Sequence, residues 1–269
     1  MMTIFQALIL GVLQGLTEFL PISSSGHLVL AQRLMNVELG GADLLFDLTL
    51  HIGSLFAVLA AFRKQIFALF KRPFKTLALL AVATIPAAAA GLLLGDIVDE
   101  VFFGGAYLVF GFGISAVLLT VAQMRSKRGD GLPPLKFRHA AAMGVAQAVA
   151  VIPGISRSGA TVTAGIIAGG NREEVANFSF LLSIPVILGG FVVTLAKGLY
   201  SGEISSAIVI AGGNIGICAA VGVAASAAAG LFAIKVMLKS ISSGKYTPFI
   251  IYLCALAIAC AALSFCGVI

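Results

Sequence analysis

The chain alternates long apolar stretches with short polar ones, and the stretch lengths set the first expectation. Six of them, at 44–62, 76–95, 104–124, 177–196, 207–231 and 247–268, are 19 to 25 residues long. At a rise of 1.5 Å per residue, ~20 apolar residues in a helix cross a ~30 Å hydrocarbon core. Two further regions, 3–36 and 138–170, begin the same way and then break. Each has an apolar arm, a cluster of Pro, Ser and Gly, and a second arm: Leu28 to Asn36 with 9 residues, Gly159 to Gly170 with 12. Such arms rise only ~14–18 Å, about half a bilayer. The pattern therefore predicts six full spans and two re-entrant helical hairpins. Irregular backbone at membrane depth is tolerated only inside protein or beside a water-filled cavity.

Composition supports that reading. Of 269 residues, 60% are hydrophobic and 10% charged, against roughly 25% charged in soluble domains. Mean hydropathy is +1.10. The expected class is an all-α polytopic membrane protein forming one integral membrane domain over 1–269. The N-terminus has no basic n-region, so no cleavable signal peptide is expected. The net charge of +6 comes without a basic stripe or a nucleic-acid motif, so no nucleic-acid partner is expected. Cys218, Cys254, Cys260 and Cys266 lie in apolar segments without CxxC spacing and are expected to be small packing residues.

Charge then fixes an orientation. If 138–170 is a hairpin, the loops 63–75, 125–138, 171–176 and 232–246 share one face with fourteen Lys/Arg, and the other face keeps only Arg33 and Lys197. If 138–170 crosses, the split is eleven to five. The positive-inside rule favours the hairpin and makes the fourteen-residue face cytoplasmic. Loops 96–103 and 197–206 and both termini are then external, and the first hairpin opens from outside.

The chain also repeats itself. At an offset of 133, "GVLQGLTEFLPISSSG" lies over "GVAQAVAVIPGISRSG", with Gly11/Gly144, Gln14/Gln147, Ser23/Ser156, Ser25/Ser158 and Gly26/Gly159 among the identities. Two halves, 1–130 and 131–269, each hold one hairpin and three spans. An odd number of spans inverts the second half, giving an inverted-topology repeat. Such folds place polar sites at the midplane, where broken helices meet.

The two tips carry the candidate chemistry. The first offers Gln14 and Glu18 on one helical face, then Ser23, Ser24, Ser25, Gly26 and His27. The second offers Pro153, Gly154, Ser156, Arg157, Ser158, Gly159 and Thr161. Helix N-termini with small residues suit phosphate, and the Arg157 fork matches its oxygens. Glu18 beside phosphate would be repelled unless a divalent cation intervened, and hard oxygen ligands suit Mg²⁺ or Ca²⁺. His27 is a candidate acid or base, and a serine is a candidate nucleophile or binding group. Plain structural roles stand beside these: an Arg157–Glu18 ion pair, backbone-bonded hydroxyls, and an interfacial His27. Asp47 and His51 share a helical face and read as structural or cavity-lining, and His139, at a basic loop edge, reads as solvated.

"QGLTEFLPISSSGH" and "PGISRSGAT" resemble the two signatures of the bacterial undecaprenyl-diphosphatase, or bacitracin-resistance, family: (E/Q)xxxE with PxSSxGH, and PGxSRSxxT. The resemblance spans essentially the whole chain. It implies a divalent-metal-dependent hydrolase of the cytoplasmic membrane. That enzyme removes the terminal phosphate of undecaprenyl diphosphate at the outer face, regenerating the lipid carrier for peptidoglycan synthesis and conferring bacitracin resistance. By the same resemblance Glu18 binds metal with Gln14, and Arg157 holds the diphosphate with Gly154, Ser156, Ser158, Thr161, Ser23 and Ser25. His27 is the acid/base, and a serine of the first tip, here taken as Ser24, is the candidate nucleophile. Gln14 stands where many members carry Glu, so one ligand charge is absent. The membrane phosphatases with SGH and SRxxxxxH motifs do not match: no His follows Arg157 at that spacing. Expected partners are the polyprenyl diphosphate, the bilayer and, as an open expectation, a second copy in a homodimer. The alternative from a different class is a transporter or flippase of a phosphorylated polyprenyl lipid, since inverted repeats with paired hairpins are transporter features.

Overall fold

The computed structural model describes residues 2–37, 43–102, 107–125, 134–201 and 215–267. Within them lie α1 (Ile4–Phe19), α2 (Ser24–Leu34), α3 (Asp43–Ala61), α4 (Arg63–Leu69), α5 (Lys75–Phe102), α6 (Leu108–Arg125), α7 (Phe137–Val149), α8 (Arg157–Ile167), α9 (Arg172–Ser201), α10 (Ile215–Ser243) and α11 (Thr247–Phe265), with no strand among the described residues. Five helices are long and apolar enough to cross a membrane: α5, α6, α9, α10 and α11. α3 is the sixth candidate and bends by 79° into α4. The bend falls where Arg63 and Lys64 follow the apolar run, and the charged turn leaves the direction of the span. α11 has a mean hydropathy of 2.3 with only 11% of its span window buried. A helix that is apolar all round yet mostly uncovered has lipid as its solvent.

Several boundaries differ from expectation. The span expected at 207–231 is helical over Ile215–Ser243, so Lys235 and Lys239 sit on a helix rather than in a loop, while 202–214 lie outside the described residues. Likewise α5 runs to Phe102 and α9 to Ser201, through parts of the expected loops 96–103 and 197–206. Residues 126–133 of the loop 125–138 also lie outside the described residues. The second hairpin arms begin earlier than expected, at Ser24 and Arg157, and each has 11 residues. Ser23 and Ser156 are the reason. Each caps its helix by accepting the N–H of the residue three ahead, Gly26 at 3.4 Å and Gly159 at 3.1 Å. That satisfies a free donor of the first turn and draws the serines and arginine into it. His139, expected in solvent, is fully buried, with its Nδ1 accepting the Lys136 N–H at 2.9 Å. Cys218 and Cys260 are packed inside, but Cys254 and Cys266 are exposed, because an outward face against lipid accepts the same small apolar residues as the core.

The outer ends of each broken pair, α1 with α2 and α7 with α8, lie close together. Gln6, near the start of α1, donates Nε2–H to the Met35 carbonyl beyond α2 at 3.2 Å. Leu135, before α7, packs against Gly170 beyond α8. Small residues set the close crossings that hold the arms. A Cβ on Gly11 of α1 would meet the Gly222 Cα of α10 at 2.9 Å, and one on Gly144 of α7 would meet the Ala83 Cα of α5 at the same distance. Backbones this close are the usual means of helix association in lipid, where dispersion rather than water exclusion drives packing. Around the arms, Phe19, Phe62 and Phe180 form an aromatic core with ring centroids 5.4 and 6.0 Å apart.

Candidate active site

The broken segments are short: Leu20 to Ser23 between α1 and α2, Ala150 to Ser156 between α7 and α8. They meet. A Cβ on Gly26 would lie 3.1 Å from the Gly154 Cα, and Ser158 Oγ donates to the Leu20 carbonyl at 3.1 Å. Gly154 has φ 87°, a conformation open to glycine, and its backbone lies against Gly111 of α6. Ser115, also on α6, pins this tip: its Oγ donates to the Gly154 carbonyl at 3.0 Å and accepts the Ser156 N–H at 2.8 Å.

Glu18, 6% exposed, is the centre of the cluster. Its Oε1 accepts from Arg157 Nη2 across the junction. Its Oε2 accepts from Ser24 Oγ at 2.5 Å and from Gln14 Nε2 at 3.1 Å. His51 Nε2 stands 3.8 Å from the same oxygen, and its Nδ1–H is tied to the Asp47 carbonyl at 2.7 Å. Behind the carboxylate a chain of donors runs into the bundle. Gln14 Nε2 reaches Ser54 Oγ at 3.4 Å, Ser54 reaches Ser226 Oγ at 3.0 Å, and Ser226 Oγ donates to the Leu50 carbonyl at 2.8 Å. Two buried atoms here have no partner among the described residues: Arg157 Nη1 and Gln14 Oε1. An unpaired buried donor costs ~1–3 kcal/mol, so Arg157 Nη1 marks a place for an acceptor.

A cavity of about 260 Å³ opens over the cluster. Its polar wall includes Glu18, Ser23, Ser24, Ser25, His51, Ser156 and Arg157, and an apolar wall comes from Val186, Ile187 and Phe191 of α9. The volume is below the roughly 300–1,000 Å³ that holds drug-sized ligands, so it suits a head group and leaves a long tail outside.

The structure thus brings together Glu18, Ser24, Arg157, Ser23, Ser25 and Ser156, with Gln14 directly behind. It does not bring the remaining candidates to the cavity wall. Thr161 Oγ1 is bonded to the Arg157 carbonyl at 2.9 Å and Ser179 Oγ at 2.7 Å, Ser158 is turned to Leu20, and Gly154 packs on α6. His27, 5% exposed, has both ring nitrogens engaged away from the cavity, Nδ1 with the Ser23 carbonyl at 2.6 Å and Nε2 with the Tyr252 hydroxyl at 2.7 Å. His51 takes the place beside Glu18. Its spacing from Asp47 signalled a cavity face, but nothing in the sequence linked it to Glu18. Ser54, Ser115 and Ser226 were hidden as single hydroxyls in apolar spans.

The family model described as "Bacitracin resistance protein BacA" matches residues 7–259. The chain is 41% identical over 258 residues to an undecaprenyl-diphosphatase of Carboxydothermus hydrogenoformans, covering 96% of each chain. It is 37% identical to an undecaprenyl-diphosphatase of Marinobacter nauticus (95% and 97% covered) and 39% identical to one of Korarchaeum cryptofilum (96% and 98% covered).

Proposed function

The chain belongs to the bacitracin resistance protein BacA family, and we propose that it is a membrane undecaprenyl-diphosphatase acting at the junction of the two tips. The observation that carries the site assignment is the Arg157 guanidinium, which holds one Glu18 oxygen with Nη2 and keeps Nη1 buried and unpaired, while Ser24 holds the other oxygen of the same carboxylate. Arg157 Nη1 and the N-terminus of α8 receive the terminal phosphate. Ser24 Oγ attacks the terminal phosphorus, its proton passes to Glu18 Oε2, and the bond to the bridging oxygen breaks. Undecaprenyl phosphate leaves with that proton. Water then attacks the phosphoserine, Glu18 takes the water proton and returns it to Ser24 Oγ, and inorganic phosphate is released. Developing charge on the phosphate is stabilised by fixed donors in a water-poor site.

The residues fit a divalent cation. Mg²⁺ and Ca²⁺ need one or two protein oxygens when phosphate supplies others, and Glu18 with the unpartnered Gln14 Oε1 offers them. The bound ion would neutralise charge on the diphosphate. No group of three His, Cys, Asp or Glu side chains gathers for a metal among the described residues, so an all-protein cage is not the design.

The halves 1–130 and 131–269 are read as an inverted repeat with re-entrant hairpins. Matched crossings support this: α1 on α10 through Gly11, α7 on α5 through Gly144, at the offset of 133. The Lys/Arg asymmetry supports an orientation with the basic end in the cytoplasm and the cavity on the external side of the cytoplasmic membrane. Lys71→Cys in a Cys-free protein should resist an impermeant reagent in intact cells, and strong labelling there would reverse the orientation.

Phosphate release from undecaprenyl diphosphate by purified Arg157→Lys tests the site. Lysine keeps the charge and loses the fork, so the rate should fall at least ~10²-fold, about 2.7 kcal/mol of transition-state stabilisation, at an unchanged melting temperature. If Arg157 were only the structural partner of Glu18, the single variants would lose roughly 3–5 kcal/mol of stability, and Arg157→Ala/Glu18→Gln would recover both fold and turnover. Chelation should abolish wild-type turnover, and Glu18→Gln should lose its response to added metal.

A further inference from the structure

Ser23 and Ser156 occupy the same position, 133 residues apart, and cap equivalent helices, but their backbones differ. Ser156 has φ −69° and ψ 116°, an ordinary cap. Ser23 has φ 72° and ψ 105°, which a residue with a Cβ adopts only when its surroundings impose it. The strain falls on the tip that presents Ser24. The first backbone bond of each helix shows the consequence. Ala160 N–H reaches the Ser156 carbonyl at 2.8 Å, whereas His27 N–H lies 3.4 Å from the Ser23 carbonyl. That carbonyl is held more closely by a second donor, the imidazole of His27 at 2.6 Å. Ala160, the counterpart of His27, has no such group.

A carbonyl only accepts, so His27 Nδ1 carries the proton. In a neutral ring Nε2 is then an acceptor, and the donor facing it is the Tyr252 hydroxyl at 2.7 Å. The hydrogen bond on one ring nitrogen sets which form the other takes. Tyr252 comes from α11, and its ring stacks on the imidazole at 5.7 Å and 9°. Phe112 of α6 closes the other side edge-on at 5.4 Å. The imidazole is thereby held in position by residues far away in sequence, while the Ser23 carbonyl sets its tautomer.

We propose that Tyr252 is a positioning residue for the hydrolysis: its hydroxyl anchors the His27 ring through Nε2, and His27 holds the strained Ser23 turn that aims Ser24 at the phosphate. The chain of contacts is Tyr252 O–H to His27 Nε2, His27 Nδ1–H to the Ser23 carbonyl, and Ser24 Oγ–H to Glu18. It rests on the reading of Ser24 as nucleophile, and it gives His27 a mechanical task in place of proton transfer.

Tyr252→Phe keeps the stacked ring and removes only the hydroxyl. Phosphate release should show kcat about tenfold lower with KM unchanged, as expected for one lost hydrogen bond. Nitrogen-15 spectra of the His27 ring should show Nδ1–H in both proteins, with the Nε2 resonance shifted in the variant by loss of the Tyr252 hydrogen bond. An unchanged kcat, a KM effect alone, or an Nε2 resonance that does not move would each overturn the proposal. His27→Asn and His27→Gln give a second test. The Asn amide can take the place of Nδ1–H and the Gln amide cannot, so Asn should retain at least tenfold more turnover. Equal, near-complete loss in both would make the imidazole an acid or base and overturn the positioning role. If native protein releases no phosphate from undecaprenyl diphosphate, the functional reading fails on its own, and the Nε2 comparison still decides what Tyr252 does.

Discussion

The two tips share a frame and divide the chemistry. Each has a buried glutamine on the incoming arm, a serine cap that opens a Ser-x-Ser pair, and a glycine at a close approach. Position by position the contents then diverge. Glu18 corresponds to Val151, Ser24 to Arg157 and His27 to Ala160. The first tip thus holds the carboxylate, the candidate nucleophile and the strained turn, and the second holds the cation in an unstrained one. Because Ser24 and Arg157 are equivalent first residues of facing helices, both reach Glu18 from opposite sides. Near-symmetry gives the pair of helix N-termini that suits a phosphate, and its local failure gives that site a direction.

Ser24→Ala should break the division most. It removes one hydroxyl from the cavity, and turnover should fall at least ~10³-fold, about 4 kcal/mol, with no loss of melting temperature. Ser25 also lines the cavity but is placed only against Ser23, at 3.4 Å, so Ser25→Ala should cost less than ~10-fold. Comparable losses at the two positions in a phosphate-release assay would mean that the nucleophile is misassigned.

Gly11→Ala and Gly144→Ala ask whether the frame is as symmetric as its contacts. Both insert a methyl against backbone at 2.9 Å, and both should lose ~1–3 kcal/mol of stability through overpacking. Only Gly11→Ala displaces the arm that carries Glu18, so only it should also lower kcat of the folded protein. Detergent melting curves with single-turnover rates separate the two effects.

The glutamines sharpen the contrast with the smallest effects. Gln14 donates to Glu18 and Ser54, so Gln14→Met should cost about tenfold in turnover. Neither amide atom of Gln147 has a partner among the described residues, though the side chain is only 2% exposed. Gln147→Met removes a buried amide without breaking a bond and should be neutral or stabilising by ~1 kcal/mol. A dead Gln147→Met would show that the second tip has polar work of its own.

Much of the molecule was legible in one dimension because its signals are local. Span length follows from rise per residue, and the two helix breaks and their meeting follow from Pro, Ser and Gly in the aligned IS-x-SG segments. Glu18, Ser24 and Arg157 lie inside those signals. Other features depended on distance in space. His51 reaches Glu18 from a different helix, and Tyr252 meets His27 across 225 residues. Ser54, Ser115 and Ser226 look like ordinary hydroxyls in apolar spans until the bundle closes.

The amino-acid sequence by itself determined the helices, their likeness in two halves and the identity of the polar groups at each break, since hydropathy, capping and chain stiffness act over a few residues. Only the tertiary structure decided what those groups do. The direction of the His27 ring, the strain at Ser23 and the unpaired nitrogen of Arg157 arise from packing between remote helices. There each buried polar atom must take whatever partner the fold brings within about 3 Å.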